Sequence, residues 1–337
     1  MAELSTTYMG LKLKNPIILG ASNMVSDIDQ LKKAEQAGVA AIVYKSLFEE
    51  QIQLESLQFE EELHEYDFRS AEMEKIFPEI EHAGPKEHLL ALKKAKNELT
   101  IPVIASLNAI YSPTWVEYAK MLAETGVDGL ELNFYRVPIS ADADAKMIEE
   151  HQVKVLKEIK ATVNIPVSVK ISSFYTNPLA FISKLSQAGA DGVVLFNRFF
   201  QPDINIDSEE FDFPWELTRK GDYQVTLRYV GLIYNKIKAS IIANRGIKTS
   251  ADAIKMILAG ANAVQMVSAF YENGVSYATS VLDEIQSWMD KKGYNSLDDF
   301  RGKLSKDKLN DEFVYKRAQY IDILKNSDQI LKKYPLR

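Results

Sequence analysis

The sequence predicts an α/β fold, a (β/α)8 or TIM barrel, on three observations. Four stretches repeat one pattern: AGVAAIVYK at 37–45, TGVDGLELN at 125–133, AGADGVVLFN at 188–197 and AGANAVQMV at 259–267. In each, a glycine suits the left-handed position that ends a helix, and the apolar run after it has the length of a strand covered on both faces. Four more apolar runs lie between these: NPIILGAS from 15, IPVIASL from 101, IPVSVKI from 165 and ASIIANRG from 239. Helical patterns fill the gaps, at 27–37, 86–97, 114–125, 145–163, 177–188, 222–238 and 250–259. Eight alternating βα units favour a closed barrel over the alternative, an open doubly wound sheet.

The elements follow in order. The first strand carries Pro16 at its start, where a missing N–H is tolerated, and ends at Ala21, Ser22 and Asn23. Helix 27–37 stops at Gly38 and leads into the second strand, which ends at Lys45 and Ser46. A long connection, 46–85, then reaches helix 86–97. The third strand ends at Ser106 and Asn108. Helix 114–125 has Ser112 and Thr114 as possible N-caps and Gly126 as its stop, and the fourth strand ends at Asn133. The fifth ends at Lys170 and the sixth at Asn197, before a second long connection, 198–221. The seventh ends at Asn244, Arg245 and Gly246; the eighth leads to Ser268 and Ala269. From about 275 the tail reads as helical. No stretch reads as a linker, so residues 1–337 are expected to form one domain.

Composition excludes several function classes. The formal charge of −7 argues against broad binding to nucleic acid or anionic membranes, which needs a basic field. There is no cysteine, which rules out a disulfide, cysteine-held zinc or iron–sulfur clusters, and a thiol base in this chain. The N-terminus lacks the basic and apolar regions of a signal peptide, and no apolar run approaches the roughly 18 residues of a spanning helix, so a cytoplasmic protein is expected.

Every predicted strand ends in a polar group, on the face where barrel enzymes keep their sites. Lys45 and Lys170 each close a strongly apolar run, a costly place for an ammonium unless it meets an anion or a ligand. RGIKTSADA places Gly246 after the seventh strand and Thr249–Ser250 before a helix, and Ser268–Ala269 follow the eighth. Exposed N–H groups there form the recurrent phosphate site of barrels, to which Arg245 adds a cation; an ordinary capped helix is the alternative. His64, His82, His88 and His151 read as surface or loop residues, with the first two kept open because they lie in the long connection. No metal site is supported.

The chain resembles class 1 dihydroorotate dehydrogenase over nearly its whole length. LSTTYMGLKLKNPIILGAS is similar to that family's opening β-hairpin and first strand, YKS to its Thr-Lys-Ser, and VSVKI to its Val-Lys. LFN is similar to its strand-six Asn, and IIANRGIKTSADAIKMILAGANAVQM to its phosphate loop and final strand. MDKKGYNSLDDFRGKL at 289–304 is similar to its C-terminal signature. The resemblance implies a homodimer that binds FMN. Contacts to the flavin would fall on Ala21, Ser22, Lys45, Ser46, Asn108, Asn133 and Lys170. Those to its phosphate would fall on Asn244, Arg245, Gly246, Ser268 and Ala269. Lys45, Asn133, Asn197 and Arg198 would face the substrate.

The substrate half departs from the family pattern. ELNFYRVP stands where the family has Asn-x-Ser-Cys-Pro-Asn, so its cysteine base falls on Arg136 and the preceding serine on Tyr135. The family's Asn-Ser-x-Gly-Leu-Pro-Asn loop after strand two is missing, and its Asn-Ser after strand six becomes Asn197–Arg198. Loss of a general base typically costs roughly 10²–10⁴ in rate. The expectation is an FMN-dependent oxidoreductase acting on CH–CH groups, with an altered site for a small acidic substrate met by Arg136 and Arg198. A flavin-binding scaffold without dehydrogenase activity, and a dihydroorotate dehydrogenase with a displaced base such as Tyr135, are the alternatives.

Overall fold

A computed structural model describes residues 2–50, 85–212, 214, 216–310, 312–315, 318–325, 328 and 332. Its centre is a closed parallel barrel of eight strands: β3 (Ile17–Leu19), β4 (Ala41–Phe48), β5 (Val103–Asn108), β6 (Gly129–Asn133), β7 (Val167–Ile171), β8 (Gly192–Leu195), β11 (Ser240–Ala243) and β12 (Ala263–Met266). The last strand pairs in parallel with the first, Val264 opposite Ile17 and Met266 opposite Leu19. This closure removes the open-sheet alternative. All eight expected strands are present, and so are the seven expected helices, that over Ser250–Ala259 to the residue, while the one expected over 222–238 ends at Ile233.

Two apolar clusters explain the strand pattern. A large one, including Leu19, Ile42, Leu132 and Val193, fills the space between barrel and helices. A smaller one, including Ile18, Val43, Ile104, Val194 and Ile242, fills the barrel itself. Alternate residues of each strand therefore face the two layers.

The antiparallel hairpin expected from the family resemblance is β1 (Thr6–Tyr8) with β2 (Leu11–Leu13). Tyr8, Met9 and Leu13 join the inner cluster and plug the end of the barrel away from the site. A Cβ at Gly192 would lie 2.7 Å from the Tyr8 ring, so glycine makes room for this plug. The tail carries a helix over Tyr277–Lys292. Arg301 then donates to the carbonyls of Ala261 and Asn262 and to Thr6, tying the tail to the foot of β12 and to the hairpin.

Two features differ from the sequence reading. The connection 198–221 contains a hairpin, β9 (Asp203–Asn205) with β10 (Glu210–Asp212). Asn205 Oδ1 accepts from the backbone of Asp207 and Ser208 and so forms its turn. Strand β4 runs on to Phe48, and most of the first long connection, with His64 and His82, lies outside the described residues. Among the described residues, no helix is long and apolar enough to cross a membrane.

Candidate active site at the strand C-termini

The polar strand ends converge on a cavity of about 190 Å3 at the C-terminal mouth of the barrel. Nine of the expected site residues line it: Ala21, Ser22, Lys170, Asn197, Arg198, Asn244, Arg245, Gly246 and Ser268. Ala269 is buried immediately behind, in the short helix Ser268–Asn273.

The floor holds the only ion pair between buried side chains among the described residues. Glu131 and Lys170 belong to neighbouring strands, two residues out of register, so both face the barrel interior. Lys170 Nζ lies 3.4 Å from Glu131 Oε1, a charge contact outside hydrogen-bonding geometry. Gln265 bridges them, donating to Glu131 Oε2 at 2.5 Å and accepting from Lys170 at 3.4 Å. Below, burial and then the Glu131 carboxylate push the Tyr8 phenol well above its ordinary value. Glu131 and Gln265 were not singled out from the sequence. Their signal was a polar residue at the centre of an apolar strand, in LELN and AVQM.

Around the rim, the expected asparagines form a chain. Asn197 Nδ2 donates to Asn133 Oδ1 at 2.6 Å, and Asn108 Nδ2 donates to the Asn133 carbonyl at 2.6 Å. Ser46 and Ser106 share a hydrogen bond of 2.7 Å. Lys45 is absent from the cavity lining. A bulge in β4 sets Tyr44 and Lys45 together opposite Ala105, between the pairs Val43–Ile104 and Ser46–Ser106. The extra residue re-aims the strand end, as bulges beside active sites do.

Three buried polar atoms without a hydrogen-bond partner border this cavity: Ser22 Oγ, Thr218 Oγ1 and Arg245 Nε. Buried polar groups are normally paired, so a cluster of unpaired ones around one space points to a polar ligand. Arg245 has φ 76°, a left-handed conformation, and Gly246 follows at φ 72°. A Cβ on Gly246 would meet the Tyr223 backbone nitrogen at 2.6 Å, so the close turn requires glycine. Cation, glycine turn and the helix start at Ser268 suit an anionic end group. Thr249 and Ser250 are not among the residues that line the cavity. A capping box between Thr249 and Asp252 occupies the backbone N–H groups of both, as in the capped-helix alternative.

The loop after β6 sits differently. The Tyr135 hydroxyl accepts the Phe200 backbone N–H at 3.2 Å. Arg136 is exposed and lines a separate cavity of about 680 Å3 with His151 and Tyr135. Burial, then the Arg136 guanidinium, lower the His151 pKa. No ion pair joins Arg136 to Asp142 or Asp144 among the described residues. Phe134 is buried edge-on against Trp115, 5.3 Å between ring centres. Arg198 is held by Glu216, whose carbonyl it meets at 2.5 Å. His88 is not a surface residue: it packs edge-on against Tyr44, and burial, then Lys45, lower its pKa to about 4. Among the described residues no cluster could hold a metal ion.

Comparison with known proteins agrees with this architecture. The family model described as dihydroorotate dehydrogenase matches residues 80–289, more than half of the chain. A putative dihydroorotate dehydrogenase A (fumarate) of Aeropyrum pernix is 26% identical over 306 residues, covering 89% of this chain and 97% of that one. The catalytic subunit of dihydroorotate dehydrogenase B (NAD(+)) of Thermoplasma volcanium is 27% identical, covering 90% and 98%. The like-named subunit of Methanocaldococcus jannaschii is 26% identical, covering 85% and 93%. Barrel, opening hairpin and matched family model together lead to one conclusion: the chain belongs to the dihydroorotate dehydrogenase family.

Proposed function

We propose that this protein is an FMN-dependent oxidoreductase acting on a CH–CH bond of a small acidic substrate, with a substrate site altered from that of dihydroorotate dehydrogenases. The observation that carries the reading is the set of unpaired buried atoms, Ser22 Oγ, Thr218 Oγ1 and Arg245 Nε, around one cavity. It is the cavity that Lys170, Asn197, Asn244, Gly246 and Ser268 also line.

The residues fit the cofactor in kind. Arg245, the Gly246 turn and Ser268 would hold its phosphate, as helix starts and guanidiniums hold such anions. Ala21, Ser22 and Lys170 would face the ring, and the chain of Asn108, Asn133 and Asn197 would orient ring, ribityl and substrate. Bound FMN supplies what side chains lack, acceptance of two electrons from a C–H bond. Lys170, fixed by Glu131 and Gln265, stabilises negative charge developing beside it. Lys45 and Ser46 complete the assignment on the β4 side. The reading takes residues 1–337 as one FMN-binding domain working as a homodimer.

The altered substrate side rests on the absence of cysteine and on Tyr135 and Arg136 in its place. One observation favours a second reading, an FMN-binding protein without dehydrogenase activity. The Tyr135 hydroxyl is engaged by Phe200, and Arg136 opens onto another cavity, so neither is in place as a base. Adding FMN to the flavin-free protein and following its fluorescence tests the shared part of both readings. Stoichiometric quenching is expected, weakened in Arg245→Gly; no binding refutes both.

A further inference from the structure

Glu131 is fully buried, yet it lies outside the lining of the cavity at the mouth. Lys170 and Gln265, which it touches, are both in that lining. Desolvating a carboxylate is costly, and a buried ion pair is often no more stable than apolar residues of the same volume. Such residues fill the rest of the barrel interior, Ile18, Val43 and Ile104 among them. Stability alone therefore does not account for a charge pair at this level of the barrel.

The contacts around Glu131 are one-sided. A carboxylate only accepts, so the amide nitrogen of Gln265 turns to Glu131 Oε2 and its carbonyl turns to Lys170 Nζ. Glu131 Oε1 accepts no hydrogen bond, and the Tyr8 hydroxyl below makes none to it. The charge on this oxygen is left to face Lys170, 3.4 Å away. Carboxylate and amide carbonyl thus both present negative ends to the ammonium.

We infer that Glu131 is a positioning residue for the redox chemistry: acting on Lys170 directly and through Gln265, it offsets the ammonium's charge beneath the cavity and so holds down the reduction potential of bound flavin. The inference deepens the reading of the cavity as an FMN site with Lys170 beside the ring, and it rests on that reading. Uptake of two electrons and one proton leaves the ring with one negative charge more. Lys170 favours that charge. Glu131 disfavours it, in an interior where charges are weakly screened. Pair and cofactor are then balanced by a residue that touches neither flavin nor substrate, which is one way a protein tunes a cofactor's electronics.

The test is equilibrium reduction of the FMN-loaded full chain against a dye of known potential, in the wild type and four variants. A unit charge several ångströms from the ring is worth roughly tenfold or more in the two-electron equilibrium, and tenfold is about 30 mV. Glu131→Gln is expected to raise the midpoint by about that amount. Lys170→Met lowers it, and the double variant, neutral again, returns close to the wild-type value. Glu131→Asp keeps the charge and loses reach toward Gln265, so its potential stays near wild type whatever stability it loses. A pair that only supports the fold gives no shifts of opposite sign and no such return. Where Glu131→Gln alone does not fold, the difference between Lys170→Met and the double variant reads the same charge. An unchanged or lowered potential in Glu131→Gln, an equal shift in Glu131→Asp, or a double variant that does not return overturns the inference and leaves the FMN site standing. A chain that takes up no FMN overturns both.

Discussion

Lys170 and Glu131 face each other inside the barrel, Nζ 3.4 Å from Oε1, with 8% and 0% of their side chains exposed. Breaking such a pair from one side leaves a buried charge uncompensated and costs about 3–5 kcal/mol. Glu131→Gln is therefore expected to lower unfolding free energy by that order in urea titrations. Lys170→Met combined with Glu131→Gln costs less than the two single changes added, because the pair is lost together. Strict additivity would show that the two side chains do not interact.

Arg245 and Gly246 separate binding from backbone strain. An arginine at φ 76° carries a left-handed penalty of roughly 1–2 kcal/mol, which glycine relieves at some cost in chain entropy. Arg245→Gly should keep stability within about 1 kcal/mol. It should weaken FMN binding roughly tenfold or more, the worth of a charge-assisted hydrogen bond. Gly246→Ala meets both the φ penalty and the Tyr223 backbone at 2.6 Å, and should lower stability and FMN affinity together. Denaturation and flavin fluorescence measure the two effects side by side.

Tyr135→Phe keeps the ring against Phe199 and removes the hydroxyl that accepts from Phe200. The loss of one partly exposed hydrogen bond predicts a fall of about 0.5–1.5 kcal/mol in stability, with FMN affinity unchanged. A flavin affinity that falls with this change would place Tyr135 in the first cavity instead.

His88 gives the fold an acid-sensitive point. Its folded pKa, lowered to about 4 from 6.5 by burial and then by Lys45, means that the unfolded chain takes up a proton which the folded chain refuses. Stability from this residue is complete above pH 6.5 and falls as pH drops from there toward 4. His88→Gln should flatten the difference between urea midpoints at pH 7 and pH 5. An unchanged difference would assign the acid sensitivity to other groups.

The barrel was legible because parallel strands buried on both faces read as unbroken apolar runs, and a glycine marks the helix end before Ala41, Gly129, Gly192 and Ala263. Their sum predicted closure, and eight of the nine cavity residues followed from being at strand ends, Arg198 coming from the family resemblance. What stayed hidden depends on register. Glu131 and Gln265 meet across the barrel floor only because β6 and β12 both turn those positions inward, which short apolar runs do not disclose. Lys45 was drawn to the mouth by its place in the run AAIVYK. The bulge that pairs it with Tyr44 against Ala105 has no sequence mark. Thr218 lies in a connection whose path no local pattern gives. The rings of Tyr135, Phe174 and Phe199 meet only because loops from three strands come together.

The central claim is a flavin site kept and a substrate site changed. The most direct measurement is the absorbance of the FMN-loaded protein without oxygen, first after dihydroorotate and then after dithionite. The account predicts a yellow protein that dihydroorotate leaves oxidised on the timescale of enzyme turnover, about 0.1 s at a typical rate near 10 per second, and that dithionite bleaches fully. A colourless protein that takes up no FMN, or bleaching by dihydroorotate on that timescale, would contradict it.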